Sequence, residues 1–322
     1  MSTKLLAEVK NVMRLKHYSI HTETSYCDWI KRFILFHKMQ IKEELFIRPE
    51  GKIEDFLTHL AVNSHVAAST QNQAMNALVF LYKHVLNHTL EQRIDAIRAN
   101  KAPKIPVVLS QEEVKNIITL LNGTPQLVVK LLYGSGLRIS EAIRLRVQDI
   151  DYEYKQIIVR SGKGGKDRIT TVSITLLPEL KRHLEKVKLI HQQDLKNACG
   201  AVYLPNALDK KYPNAAKEWG WQYVFPAHNT AIDPRSNTKR RHHVDQSVIN
   251  KAIKVVVKKL NISKKVTAHT FRHSFATHLL QRGTDIRTIQ SLLGHKDLET
   301  TMIYTHVLQQ GAEGVNSPLD NL

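Results

Sequence analysis

The sequence predicts two domains, the first wholly helical and the second mainly α with a small antiparallel β-sheet. Three observations carry this. The first hundred residues hold apolar side chains at three- and four-residue steps, a proline-marked break follows, and β-branched runs flank one glycine- and lysine-rich loop. At 322 residues the chain is long enough for two domains that each bury a core.

In the stretch Thr22 to Lys38, Tyr26, Trp29, Ile30, Phe33 and Ile34 fall on one helical face. A second helix is expected from Ile53 to about Val62. A third follows Ser69, with Ala74, Leu78, Leu81, Tyr82 and Val85 as its apolar side. The run Arg93 to Val108 contains Pro103 and Pro106 and no sustained period. Because proline stops a helix and extends its predecessor, this run reads as a linker. The boundaries expected are a helical domain over 1–98, a linker over 99–108 and a second domain over 109–322.

Helix signals resume at Ser110, where Glu113 completes a capping box. Ile157 to Val159 and Ile169 to Val172 predict a hairpin around Ser161 to Asp167. A helix from about Leu177 to Lys196, an irregular aromatic segment to Pro226, a polar loop and further helices complete the chain.

The charge balance bears on partners. Lys and Arg number 47 against 29 Asp and Glu, for a formal net charge of +18. Such an excess favours a polyanion, because neutralised phosphates release counterions. No apolar run approaches the roughly 18 to 20 residues that span a bilayer, so no membrane partner is expected. The N-terminus shows no secretory signal, and Cys27 and Cys199 have no CxxC spacing. A reduced, cytoplasmic setting fits.

Four signals in the second half carry chemistry. Gly134 to Glu141 (GSGLRISE) places Arg138 at the opening of a helix, and Lys163 lies in the hairpin loop. That loop is not a P-loop, since Asp167 and a strand follow Lys166 where Ser or Thr and a helix would be needed. In His269-Thr270-Phe271-Arg272-His273, His269 and Arg272 share a helical face. Thr270 stands where an HExxH zinc site needs glutamate, which argues against a metal. Finally, His295 in LLGHKD precedes Tyr304 in MIYTH by nine residues.

The order GLRISE, GKGGK, HTFRHSFATHLL, LLGHKD and IYTH resembles the catalytic domain of bacterial tyrosine recombinases over most of residues 110–310. The N-terminal region is similar to their helical core-binding domain, and the resemblance implies a C-shaped clamp of two basic faces on DNA. It also implies a nucleophile in Tyr304, forming a 3′-phosphotyrosyl link, and phosphate-holding guanidiniums in Arg138 and Arg272. Lys163 would protonate the leaving 5′-oxygen, with Lys166 a nearby alternative. His269 would accept or orient the tyrosine proton, and His295 would bind the phosphate. Neither a metal nor ATP is required, so no cofactor is expected.

Residues 201–226, AVYLPNALDKKYPNAAKEWGWQYVFP, are similar to the insertion of integron integrases. That resemblance implies recombination of a duplex attI site with an attC site folded from a single strand, by a homotetramer on DNA. The segment after Tyr304 would dock on a neighbouring subunit. Bases protruding from a folded hairpin can be held by aromatic stacking, worth about 1–3 kcal/mol per base. Trp219, Trp221 and Tyr223 are the candidates, with Lys239, Arg240, Arg241, His242 and His243 for base or backbone contacts; each could equally be packing or solvated surface. Two rivals stand beside this reading: a Xer-type or phage integrase acting on duplex sites only, and a non-catalytic DNA-binding protein of the same fold. A metal-dependent nuclease would need clustered carboxylates, and Asp285, Asp297 and Glu299 lack ligand spacing.

Overall fold

The computed structural model describes residues 2–90, 106–160, 167–205 and 208–309. The chain divides into two compact units, 1–104 and 105–322. Both are built mainly from helices, with short antiparallel strands confined to the second. The linker region falls largely outside the described residues.

The first unit packs α1 (Ser2–Leu15), α2 (Ile20–Phe36), α3 (Pro49–Val62) and α4 (Ala68–Phe80), the last running into a π turn at Leu81–Val85. Ser19 caps α2 by accepting from the Thr22 amide at 3.2 Å, and Pro49 opens α3 where no amide is needed. Ile30 and Phe33 from α2 meet Ile53 and Leu57 from α3 and Leu78 from α4 in one core. Helix α1, which the sequence reading did not single out, adds Leu5, Val9 and Met13 at four-residue steps. Arg14 at its end donates to the buried Glu23 carboxylate at 3.1 and 3.0 Å.

In the second unit, α5 (Gln111–Leu120) starts on the expected box. The Glu113 amide donates to Ser110 Oγ at 3.1 Å, and the Ser110 amide to Glu113 Oε2 at 2.7 Å. Helix α6 (Gly123–Ser135) ends at Gly136, which takes φ +63°, and α7 (Ile139–Arg144) follows. Strands β1 (Ile150–Asp151), β2 (Gln156–Val159) and β3 (Arg168–Thr171) form an antiparallel sheet with Val159 opposite Arg168. The expected hairpin is thus β2–β3, extended by one short strand.

Helix α8 (Leu177–Lys196) leads to the aromatic segment, which holds α9 (Leu208–Lys211) and single helical turns at Ala215–Lys217 and Trp219–Trp221. The loop read as polar contains a second hairpin, β4 (Ala231–Ile232) with β5 (Lys239–Arg240). The chain then forms α10 (Gln246–Lys259), α11 (Ala268–Gln281), α12 (Ile286–Leu293) and α13 (Glu299–Gln309). Helix α11 is the central element. It packs against α6 and α13, and burial all round replaces an amphipathic stripe.

Gly136 lets α6 stop against α11. A Cβ there would stand 2.5 Å from the Phe275 ring, and its left-handed φ is costly for any other residue. Gly136→Ala is expected to destabilise the second unit by about 2–5 kcal/mol in chemical denaturation. A loss below about 1 kcal/mol would mean that α6 and α11 part easily.

Candidate active site

The site forms where the ends of α6 and α12 meet the first residues of α7 and the middle of α11. Glu141 on α7 is its centre. The Arg168 guanidinium grips both carboxylate oxygens, at 2.9 and 2.7 Å, and Arg138 donates to Oε1 at 2.8 Å. The Arg138 amide also donates to Oε2 at 2.8 Å. Burial alone would raise the Glu141 carboxyl; the Arg168 and Arg138 hydrogen bonds and charges outweigh it and hold it at about 2.

Arg272 reaches the same cluster from α11. Its side chain is 1% exposed, with Glu141 Oε2 3.9 Å away. It donates to the Gly136 carbonyl and, at 2.6 Å, to the Leu293 carbonyl. Arg168 donates to the Leu292 carbonyl at 3.0 Å and Arg138 to the Gly294 carbonyl at 3.4 Å. Burial, then the charge of Arg138, bring the Arg272 guanidinium down to about 9, which keeps it protonated at neutral pH. Three guanidiniums around one carboxylate leave the cluster short of negative charge, and planar forks of this kind suit a phosphodiester's oxygens.

Tyr304 on α13 lies beside this cluster. It is 1% exposed and packs on Phe275, Ile289 and Leu293. Burial raises its phenol above the ordinary value, while Arg272 and Arg138 pull the other way. The hydroxyl is 3.1 Å from His273 Nδ1. The His295 ring lies parallel to the Tyr304 ring at 6.3 Å, and its Nδ1 is 3.0 Å from Thr301 Oγ1. Burial, then Arg272, Arg138 and Arg168, push His295 down to about 3, so the imidazole is neutral and able to donate without adding charge. His269 is exposed at the start of α11, with its ring 4.4 Å from that of His273.

Five of the six expected catalytic residues, Arg138, His269, Arg272, His295 and Tyr304, thus gather in one region of the second unit; Lys163 and Lys166 lie outside the described residues. Three residues that sequence reading gave no role join them: Glu141, Arg168 and His273. Glu141 was visible within GLRISE as a capping partner. Arg168 and His273 carried no signal, one being a strand arginine and the other an apparent duplicate of His269.

The insertion requires corrections. Tyr223 is buried, with the Arg146 guanidinium 3.8 Å from its ring centre and the His242 ring stacked on it at 5.3 Å. It is a core residue rather than a base-stacking surface. Arg241 donates to Asp194 at 2.6 and 2.8 Å, which makes it a structural tie. Arg240 faces Asp233 at 3.7 Å, while Lys239 and His242 are exposed and His243 is half-buried against them. Trp219 and Trp221 are half-buried, the first near His191 and the second against the cluster around Tyr223.

Comparison with known proteins identifies the family. Residues 107–310 match the phage integrase family, and residues 5–92 match the phage integrase N-terminal SAM-like domain. The chain belongs to the phage integrase family. It is 43% identical over 321 residues to an Integrase/recombinase of Escherichia coli, covering 100% of this chain and 94% of that protein. It is 31% identical over 309 residues to Tyrosine recombinase XerA of Pyrococcus horikoshii, covering 95% and 90%. The fold matches a solved XerH site-specific recombinase bound to palindromic difH substrate, with TM-score 0.60, 19% identity and coverage of 96% and 82%. This member of the phage integrase family is a site-specific tyrosine recombinase.

The Glu141 carboxyl has a sign that can be read with pH. Its folded value is depressed, so its contribution is whole above about pH 4.5 and lost as pH falls toward 2. Glu141→Gln is expected to lower stability at pH 7 by up to about 3 kcal/mol, with the gap to the parent closing between these limits. Urea midpoints at pH 7 and pH 3 check this; equal losses at both would show that the charge contributes nothing.

Proposed function

We propose that Tyr304 attacks a DNA phosphodiester and forms a 3′-phosphotyrosyl link, and that the chain is an integrase of the integron type. The observation that carries the chemistry is Tyr304 set where the Arg272 and Arg138 guanidiniums, both close to Glu141, act on its phenol. Arg138 and Arg272 hold the non-bridging oxygens in this reading, His269 and His295 hydrogen-bond the phosphate or the reacting oxygens, and Lys163 protonates the departing 5′-oxygen. The new link conserves the energy of the broken bond, and rejoining reverses the step. In this reading a homotetramer brings two DNA sites together. Over residues 1–98, 99–108 and 109–322, the roles are core binding, linking and catalysis.

The integron assignment rests on residues 201–226, with their LPxAL, KYP and WxWQ elements. The fold supports a docked, aromatic surface there. Arg146 donates to the Trp221 and Tyr203 carbonyls at 2.8 Å each, tying the segment to the catalytic unit. Exposed His242, backed by the Tyr223 ring, offers a face to an extrahelical base, and Lys239 a charge to the backbone. Trp219 and Trp221 keep part of their surface free for the same task. The match to XerA keeps one second reading in play, a recombinase of duplex sites alone.

Covalent capture on three oligonucleotides separates the two. These are a folded attC-type strand, the same hairpin without its protruding bases, and a perfect duplex. The integron reading expects adduct on the first, loss on the second, and a loss of about five-fold or more in Trp219→Ala, since a base stack is worth about 1–3 kcal/mol. Equal adduct on all three would assign the chain to duplex sites. Tyr304→Phe is expected to bind the hairpin as the parent does and to give no adduct; adduct from that variant would sink the nucleophile.

A further inference from the structure

Four groups able to carry charge or a proton lie around Tyr304: Arg272 and His273 from α11, Arg138 at the start of α7 and His295 after α12. Only one of their hydrogen bonds to the hydroxyl falls among the described contacts. His273 Nδ1 stands 3.1 Å from Tyr304 Oη, with the two rings 5.6 Å apart and tilted by 57°. His269, the histidine of the HxxR pattern, meets the edge of His273 at 4.4 Å and 79° and lies at the exposed start of the helix. The geometry follows from the helix. Position 273 is one residue past Arg272, so it leaves the Arg272 direction by about 100° and turns toward α13, which packs on this side of α11.

We propose that His273 is a catalytic residue, the acceptor of the Tyr304 proton when the tyrosine attacks. The inference rests on Tyr304 being the nucleophile. In the step, the Oη–P bond forms and the P–O5′ bond breaks. The phenolic proton passes to His273 Nδ1, and the 5′-oxygen takes its proton from the general acid. Rejoining returns both protons. The role requires the tautomer with hydrogen on Nε2, so that Nδ1 holds a lone pair toward the hydroxyl.

The electrostatics are consistent with a base that is switched by substrate. Burial, then His269 and Arg272, hold His273 down at about 4, so the ring is neutral with Nδ1 open to a proton, but a weak base while the Arg272 charge is unopposed. A phosphodiester on Arg272 would offset that cation and raise the basicity of the ring as the attack begins. His269, nearer the surface and the guanidiniums, is left free to hydrogen-bond the phosphate.

The test uses the full chain and the oligonucleotide on which it forms adduct, with single-turnover adduct formation read against pH. His273→Asn places an oxygen where Nδ1 stands but cannot take a proton; His273→Ala removes both functions. Both are expected to bind DNA as the parent does and to form adduct about 10²–10³-fold more slowly at pH 7. The deficit should shrink as pH approaches the phenol's own titration. Ortho-fluorinated tyrosine at position 304, a more acidic phenol, should restore most of the rate in His273→Asn.

Adduct at the parent rate in His273→Asn would overturn the proposal, since acceptance alone would then suffice. Faster adduct in His273→Ala would overturn it too, because the contact would be a restraint on the tyrosine. Should either variant bind DNA poorly, imidazole nitrogen NMR of the parent chain decides. Nε2–H at His273, with Nδ1 shifted in Tyr304→Phe, supports the role, and Nδ1–H removes it. Adduct formed by Tyr304→Phe would instead defeat the nucleophile itself, a separate failure.

Discussion

The catalytic region depends on burying guanidiniums, and two helix ends make this tolerable. Arg272 lies almost wholly inside the protein, where an uncompensated cation would cost several kcal/mol. Its donors meet Gly136, the cap of α6, and Leu293, the last residue of α12. Arg168 and Arg138 take the neighbouring carbonyls of Leu292 and Gly294. Terminal carbonyls have no intrahelical partner, and the partial negative charge of a helix C-terminus favours a cation. The left-handed glycines are therefore part of the electrostatics as well as of the turns. They end each helix so that its carbonyls face the arginines. Glu141 supplies the full negative charge of this cluster among the described residues.

That arrangement explains which parts were legible in the sequence. Arg138, Arg272, His295 and Tyr304 belong to short motifs whose order is specific, and local rules placed part of the scaffold around them. The capping box at Ser110, the strands β2 and β3, and α8 over Leu177–Lys196 all follow from caps and periodicity. Arg168 could not be read this way. Its importance comes from standing opposite Val159 in a sheet that turns it toward Glu141, a relation between residues 27 apart. His273 needed the position of α13, which no local pattern provides.

The insertion misled for a different physical reason. Trp, Tyr, Arg and His serve packing and recognition with the same chemistry, and only burial separates the two uses. Arg146 decides the matter. It lies over Tyr223, donates to the Tyr223 hydroxyl at 3.1 Å and ties two backbone carbonyls of the insertion to the catalytic unit. The amides of Val147 and Val224 reinforce this by donating to Gln222 and Leu145 at 3.0 and 2.9 Å. Half of the basic and aromatic content of this region therefore fixes the platform, and His242 with Lys239 forms its outer side. The β4–β5 hairpin escaped notice because its strands are two residues long and Ile232 faces outward, so no alternation could develop.

Burial of Tyr304 sets a condition on the chemistry that the arginines alone do not. At 1% exposure the side chain is seated away from water, with His273 within hydrogen-bond reach of its hydroxyl. The described polar ties holding that seat are few: Tyr304 to His273, and Thr301 to His295. Both end on imidazoles held neutral, so neither contact is an ion pair, and each is of the modest strength of a neutral hydrogen bond. The apolar contacts with Phe275, Ile289 and Leu293 supply the rest. A tyrosine held this way is kept from water while its phenol remains protonated, and few described polar contacts restrain it. The arginine cluster has no such freedom, because each guanidinium is fixed to a helix end. The site thus pairs guanidiniums fixed to helix ends with a tyrosine seated mainly by apolar packing.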